Sequence, residues 1–267
     1  MIRKVLTMPE LVRPNQEVTL SDQCYRFENV SFSYEKGIEV LHDINFEVKP
    51  NSVFAIVGES GSGKSTIAKL MAGFFDADDG RIYFGDQDVK SIPTSQLMKH
   101  VAYVAQDNFL FDTSIRENLK IAKADATDEE IQAALKAANC LELIERLPEG
   151  LNSNAGDCGK FLSGGERQRI TLARAMLADA QCIILDEATA YADVENEAKI
   201  QEALSRLMKD KTLIVVAHRL NTIVGADQIM VLGHGKIESI GTHKELIQNS
   251  SAYQKLWQSY SGKEVVE

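Results

Sequence analysis

The sequence predicts an α/β fold in which short buried strands deliver polar residues to one edge of a sheet. Three observations carry that expectation. A five-residue apolar run, Val53–Val57, leads into a glycine-rich loop and then into the helix-forming stretch IAKLMAGF. Three more apolar runs each stop at a side chain with chemistry: Val101–Ala105 at Gln106, Cys182–Leu185 at Asp186, and Leu213–Ala217 at His218. On parallel strands such ends lie along one edge, beside the glycine loop. The length, 267 residues, suits one large α/β domain or two modest ones.

Composition narrows the class. Hydrophobic residues make up 44% and charged residues 25%, ordinary for a soluble globular chain. A net charge of −10 argues against a broad nucleic-acid surface. Cys24, Cys140, Cys158 and Cys182 form no C-x-x-C pair, so they read as reduced thiols and not as a zinc site. No apolar run approaches the ~18 residues of a membrane helix. The start, MIRKVLTMPELVRPNQEV, lacks the apolar core of a signal peptide and reads as a polar linker, as if the chain were cut from something larger.

Taken in order, Tyr25–Tyr34 alternates as a strand does, and Ile38–Val48 follows as a second, predicting a small antiparallel sheet. Tyr34 stands just before the Lys36-Gly37 turn. Its ring reads equally as a platform for a stacked base or as an ordinary strand tyrosine packing its ring.

Val53 to Thr66 reads VFAIVGESGSGKST, a strand, a Gly58-x-x-x-x-Gly63-Lys64-Ser65 loop and a helix start. Gly58, Gly61 and Gly63 lack a Cβ, so the backbone between them, including Ser60, can turn its N–H groups around an anion. The helix beginning near Lys64 adds the positive end of its dipole. In this phosphate-binding arrangement Lys64 reaches the β- and γ-phosphates, and the Ser65 hydroxyl ligates Mg²⁺.

A hairpin follows at Gly80–Val89, then the strand ending at Gln106, which is either a ligand-facing group or a plain strand stop. From Asn108 to Leu147 the pattern turns helical, with a capping box at Thr127 and Glu130. LSGGERQR, Leu162–Arg169, holds a second box, Ser163 with Glu166, opening a helix to about Leu177. Ser163, Gly164 and Gly165 read either as a tight helix start or as a second anion site.

Asp186 and Glu187 are adjacent carboxylates that repel unless a cation lies between them. Beside a phosphate loop that cation is Mg²⁺, with Asp186 on the metal and Glu187 a base for an attacking water. His218, a further strand near Ile229–Leu232, a Gly235 turn and a helix from about Lys244 to Tyr260 complete the domain.

The ordered series Tyr34, GESGSGKST, Gln106, LSGGERQR, ILDEATA, Asp193 and His218 resembles the ATP-binding domain of an ABC transporter, over roughly Tyr25 to Leu246. The resemblance implies a P-loop NTPase fold: a RecA-like core with an antiparallel β subdomain and a helical subdomain at about 107–160. It places Tyr34 on adenine, and Gly58, Ser60, Gly61, Gly63, Lys64, Ser65 and Thr66 around the phosphates of ATP. Ser65, Gln106 and Asp186 fall on Mg²⁺, Glu187 in the catalytic position, and His218 on the γ-phosphate. Ser163 and Gly165 would touch ATP held by a second ATP-binding domain, as a homodimer or heterodimer.

Finer likenesses point to the exporter-fold branch: FLFDTSIREN, GDCG, AHRLNTI and GTHKEL. In that branch a transmembrane domain shares the polypeptide, and the ATPase works at the cytoplasmic face of the cell membrane. Residues 1–22 are then the linker from that domain, 23–262 the ATP-binding domain and 263–267 a tail. ATAYAD followed by VENE also resembles a subgroup that takes up iron–siderophore complexes.

Three departures from the family pattern stand out. Glu166 replaces a commoner glutamine, Asp157 a commoner glutamate, and Ala190-Tyr191-Ala192-Asp193 replaces Ser-Ala-Leu-Asp, which brings a bulkier Tyr191 to a dimer contact. Two rival readings remain: a module that holds ATP for regulation or assembly, and a soluble non-transport ABC ATPase. Intact Glu187, Gln106 and His218 oppose the first. A single ATPase unit without a coiled-coil arm opposes the second.

Overall fold

Two sheets share one hydrophobic interior. The computed structural model describes residues 11–21, 24–35, 37–186, 199–200, 202–203, 211–217 and 219–261. The first sheet is antiparallel: β1 (Tyr25–Glu35), β2 (Ile38–Val48), β4 (Asp79–Phe84) and β5 (Gln87–Asp88), in the order β2-β1-β4-β5. Along β1 the alternation buries Tyr25, Phe27, Val30 and Phe32. The step from Phe27 to Val30 is one residue too long for a period of two. A register shift at Asn29, whose φ is +50°, absorbs it.

The second sheet holds β3 (Val53–Val57), β6 (Val101–Val104), β7 (Cys182–Asp186), β8 (Thr212–Val216), β9 (Gln228–Gly233) and β10 (Lys236–Gly241), in the order β10-β9-β3-β8-β7-β6. All its pairings are parallel except β10 on β9. Its inner strands are covered on both faces, which is why they read as unbroken apolar runs. On β7, Cys182 and Ile184 join the cluster shared with the antiparallel sheet, while Ile183 and Leu185 join the cluster beneath the helices. Phe46 bridges the two sheets, stacked on Phe27 at 4.5 Å and on Phe54 of β3 at 5.3 Å.

Among the described residues the helices are α1 (Lys64–Met71), α2 (Thr94–His100), α3 (Ile115–Lys120), α4 (Asp128–Ala137), α5 (Leu141–Arg146), α6 (Gly164–Leu177), α7 (His243–Asn249) and α8 (Ser251–Ser261). Capping boxes open α4 at Thr127 and α6 at Ser163, as their spacing predicts, and a third opens α7 at Thr242. Helices α3, α4 and α5 fall within the stretch expected to be a helical subdomain. Asn118 and Arg174 tie that stretch to α6. Arg174 donates from Nε to the Asn118 carbonyl and from Nη2 to its Oδ1, while Asn118 also accepts from the Phe111 amide.

Several elements differ from expectation. The single C-terminal helix is two, parted at Ser250, whose Oγ accepts from the Tyr253 amide and pairs with Ser239 Oγ at 2.7 Å. A serine side chain that serves neighbouring groups in this way competes with a continuous helix. Strand β10 stands where only a turn was expected. Helix α2 was not expected, being a single short element behind Pro93. The described part of the expected linker is docked. Arg13 grips the Asp76 carboxylate with two hydrogen bonds of 2.7 and 3.1 Å, and the Gln96 side chain accepts from the Val18 amide and donates to its carbonyl.

Candidate functional site

The loop after β3 is shaped by two glycines at which any side chain would be strained. Gly58 has φ +154°, and a Cβ there would sit 2.0 Å from the Leu232 carbonyl oxygen. Gly63 has φ +105°, with Leu41 Cδ2 at 2.7 Å from such a Cβ. Gly63 is also the N-cap of α1, in the left-handed region and with no side-chain cap, so the first N–H groups of the helix remain available to a ligand. Gly58→Ala is expected to cost about 3 kcal/mol of stability, through strain and overlap with backbone that cannot swing away. A thermal melt within a degree or two of the parent would contradict that geometry.

Lys64 is 5% exposed, and its Nζ donates to the carbonyls of Gly58 at 3.0 Å and Glu59 at 2.8 Å. The ammonium thus lies inside the curve of the loop. Ser65, next along α1, donates from Oγ to Asp186 Oδ1 at 2.8 Å, joining residues 121 positions apart. Asp186 is 3% exposed at the end of β7, and its other oxygen, Oδ2, accepts from the Tyr103 hydroxyl at 2.7 Å. Burial, and then the Asp186 carboxylate, push the Tyr103 hydroxyl well above its ordinary range, so it stays a donor at neutral pH.

The two readings of Tyr34 meet in one geometry. Its ring packs edge-on against Phe32 at 4.9 Å and Phe75 at 5.2 Å, yet the residue keeps 47% of its surface exposed. Its hydroxyl lies 3.2 Å from Thr66 Oγ1, on the buried first turn of α1. Tyr34 is therefore anchored to the phosphate loop's own helix with part of its ring open.

Ser60 and Gly61 form the exposed crest of the loop. Gln106 is exposed just beyond β6, at the same sheet end as Asp186, and among the described residues no hydrogen bond joins it to Ser65 or Asp186. Ser163 and Gly165 are occupied in opening α6: Ser163 Oγ accepts from the Glu166 amide, and Glu166 Oε2 accepts from the Ser163 amide. None of the bonds in that cap reaches the phosphate loop. Glu187, His218, Tyr191 and Asp193 lie outside the described residues.

Sequence reasoning missed Tyr103. A hydroxyl in an otherwise apolar strand, three residues before Gln106, was the available signal. A cavity of about 920 Å³ also adjoins the loop, sharing Glu59, Ser60 and Ser62 with Glu238 of β10 and Lys255 of α8. It takes no lining from Tyr34, Thr66, Ser65 or Asp186, so it abuts the hydroxyl–carboxylate cluster without containing it.

The chemistry of that cluster fits a hard divalent cation: a buried carboxylate, a hydroxyl directly beside it, and an ammonium within the adjoining loop. Among the described residues no group of three or more His, Cys, Asp or Glu could hold a metal alone. A cation at Ser65 and Asp186 would complete its shell from phosphate and water oxygens, the habit of Mg²⁺.

The family model described as ABC transporter matches residues 41–190, which include the loop, Gln106, Ser163, Asp186 and Glu187. The mycobactin import ATP-binding/permease protein IrtA of Mycolicibacterium smegmatis is 47% identical over 233 residues, covering 87% of this chain and 27% of that protein. The heavy metal tolerance protein of Schizosaccharomyces pombe is 48% identical over 232 residues, covering 86% of this chain and 28% of its own length. The putative multidrug export ATP-binding/permease protein YgaD of Bacillus subtilis is 47% identical, with 86% and 40% covered. The solved structure of a bacterial Atm1-family ABC exporter with ATP bound superposes with a TM-score of 0.90 at 34% identity, over all of this chain and 46% of that one. The chain thus spans between about a quarter and under a half of the proteins it matches. A P-loop NTPase fold, a lysine–serine phosphate loop set against a buried aspartate, and an LSGGE helix start coincide in one matched segment, and by that match the chain belongs to the ABC transporter family as an ATP-binding domain.

Proposed function

We propose that this domain binds ATP with Mg²⁺ and hydrolyses it to drive a solute across a membrane. It would do so joined to a transmembrane domain and paired with a second ATP-binding domain. The observation that carries the reading is the Ser65–Asp186 contact beside the Lys64-filled loop. ABC transporter ATP-binding domains are ATPases in general; the roles of Lys64, Ser65 and Asp186 rest on this chain's geometry, and those of Gln106, Glu187 and His218 on the family resemblance.

The Lys64 ammonium, held by two carbonyls, exchanges them for phosphate oxygens, because an ammonium is drawn more strongly to an anion than to a carbonyl dipole. N–H groups of the loop and of the first turn of α1 cradle the β- and γ-phosphates. Ser65 and Asp186 hold Mg²⁺, and Tyr34 offers the open part of its ring to the base. Bound there, the cation supplies charge neutralisation to the transferring phosphoryl group. Gln106, Glu187 and His218 supply the metal contact, the base and the γ-phosphate contact that the resemblance assigns to them. Ser163 and Gly165 of a second copy close the site.

The relatives named ATP-binding/permease proteins support a membrane-spanning partner within one polypeptide, and hence a place at the cytoplasmic face of a membrane. Relatives of nearly equal identity are named for mycobactin import, heavy metal tolerance and multidrug export. Similarity in this domain therefore does not choose the cargo. The segment that carried the siderophore-uptake resemblance, 188–197, lies wholly outside the described residues.

Phosphate release from ATP by the purified chain tests the reading. The expected rate rises more steeply than chain concentration, because two copies form each site, and EDTA abolishes it. ATP binding without release at any concentration would leave only a binding module.

A further inference from the structure

We propose that Tyr103 is a positioning residue for Asp186: its hydroxyl fixes one carboxylate oxygen so that the other stays beside the Ser65 hydroxyl. The inference rests on the reading of Ser65 and Asp186 as the Mg²⁺ site and names a third residue that makes the site work.

The geometry is closed on both sides of the carboxylate. Oδ1 accepts from Ser65 at 2.8 Å and Oδ2 from Tyr103 at 2.7 Å. A carboxylate turns easily about its last single bond, a broad torsion with no deep well. With a donor on each oxygen that rotation stops. Asp186 is 3% exposed, so water does not readily replace a missing donor.

Tyr103 is itself held in place. It pairs with Ile184 in the parallel register of β6 on β7, two residues before Asp186 and on the same face of the sheet. Its ring meets Phe74 edge-on at 5.0 Å, just past the end of α1. One side chain thus spans the phosphate-loop helix, the aspartate strand and the strand that leads to Gln106. Packing alone would be served by phenylalanine at this position. Among the described residues, the hydroxyl adds only the bond to Asp186. Groups that orient metal ligands in this way typically change metal affinity or activity 10–100-fold when removed.

The test compares Tyr103→Phe with a control, Phe74→Leu, which alters the ring packing and keeps the hydroxyl. Mn²⁺ is titrated into each chain with a non-hydrolysable ATP analogue, free Mn²⁺ being read by electron paramagnetic resonance. Binding of a fluorescent ATP analogue is measured separately in EDTA, and thermal melting reports the folded state. For Tyr103→Phe the Mn²⁺ dissociation constant is expected to rise about tenfold, with metal-free nucleotide affinity within about twofold of the parent. Phe74→Leu should leave both within about twofold. The proposal is overturned if Tyr103→Phe binds Mn²⁺ as the parent does, if it loses metal-free binding in the same proportion, or if Phe74→Leu reproduces its effect. A parent chain with no metal-dependent nucleotide complex would overturn the Mg²⁺ reading itself, and this inference with it.

Discussion

Glu187→Gln is expected to bind ATP as the parent does and to release phosphate at least a hundredfold more slowly, the lower end of what general-base catalysis contributes. Lys64 is an ammonium and can only donate. Both oxygens of Asp186 are engaged, by Ser65 and by Tyr103, and a metal at Oδ1 would engage them further. None of these groups is free to take a proton from water. Glu187 is the next residue in the chain, and the family resemblance puts it in the catalytic position. Glutamine keeps its size and loses its basicity, so binding and turnover should separate. Light scattering should then show an ATP-dependent dimer that persists, because the event that releases it has been slowed. Turnover near the parent rate would remove Glu187 from the mechanism.

The fold was most legible where burial on both faces leaves no other pattern. Val53–Val57 and Cys182–Leu185 read as strands because every residue is apolar, and the structure extends the latter only to Asp186. Capping boxes were legible because they are local: Thr127 with Glu130 and Ser163 with Glu166 lie three residues apart. Strand β10 was not legible. Its residues KIESIG are half exposed and become a strand by pairing with β9, a tertiary cause. The break at Ser250 is partly of the same character: its Oγ accepts locally from the Tyr253 amide and also meets the Ser239 hydroxyl of β10.

The site divides along the same line. The glycines, Lys64 and Ser65 were readable as a loop because one continuous stretch builds the curve that encloses the Lys64 ammonium. Asp186 was readable as an acid at a strand end, and it closes β7, although its contact with Ser65 spans 121 positions. Tyr103 was not, because a tyrosine within a strand ordinarily packs its ring, and only the register of β6 on β7 brings its hydroxyl to Asp186. For Ser163 the local reading, a helix cap, is the geometry observed in a single chain. Its second reading needs another copy of the domain.

Lys64→Met is expected to weaken ATP binding by at least a hundredfold while leaving the thermal melt close to the parent. The two effects separate because the side chain has two parts. Its stem is buried, at 5% exposure for the whole residue, and methionine replaces that stem with an unbranched chain of similar reach. The bonds lost to the carbonyls of Gly58 and Glu59 lie at the lip of the loop, where Ser60 and Gly61 are exposed and water can serve those oxygens instead. Phosphate has no such substitute. Hydrogen bonds to charged groups are worth about 1.5–3 kcal/mol each, and one ammonium facing two phosphates makes more than one of them. At about 1.4 kcal/mol per tenfold, two such bonds already amount to a hundredfold. Isothermal titration with a non-hydrolysable ATP analogue reads the loss directly. An affinity within tenfold of the parent would mean that the phosphates lie outside the curve of Gly58–Gly63, and the assignment of this loop as the ATP cradle would fall with it.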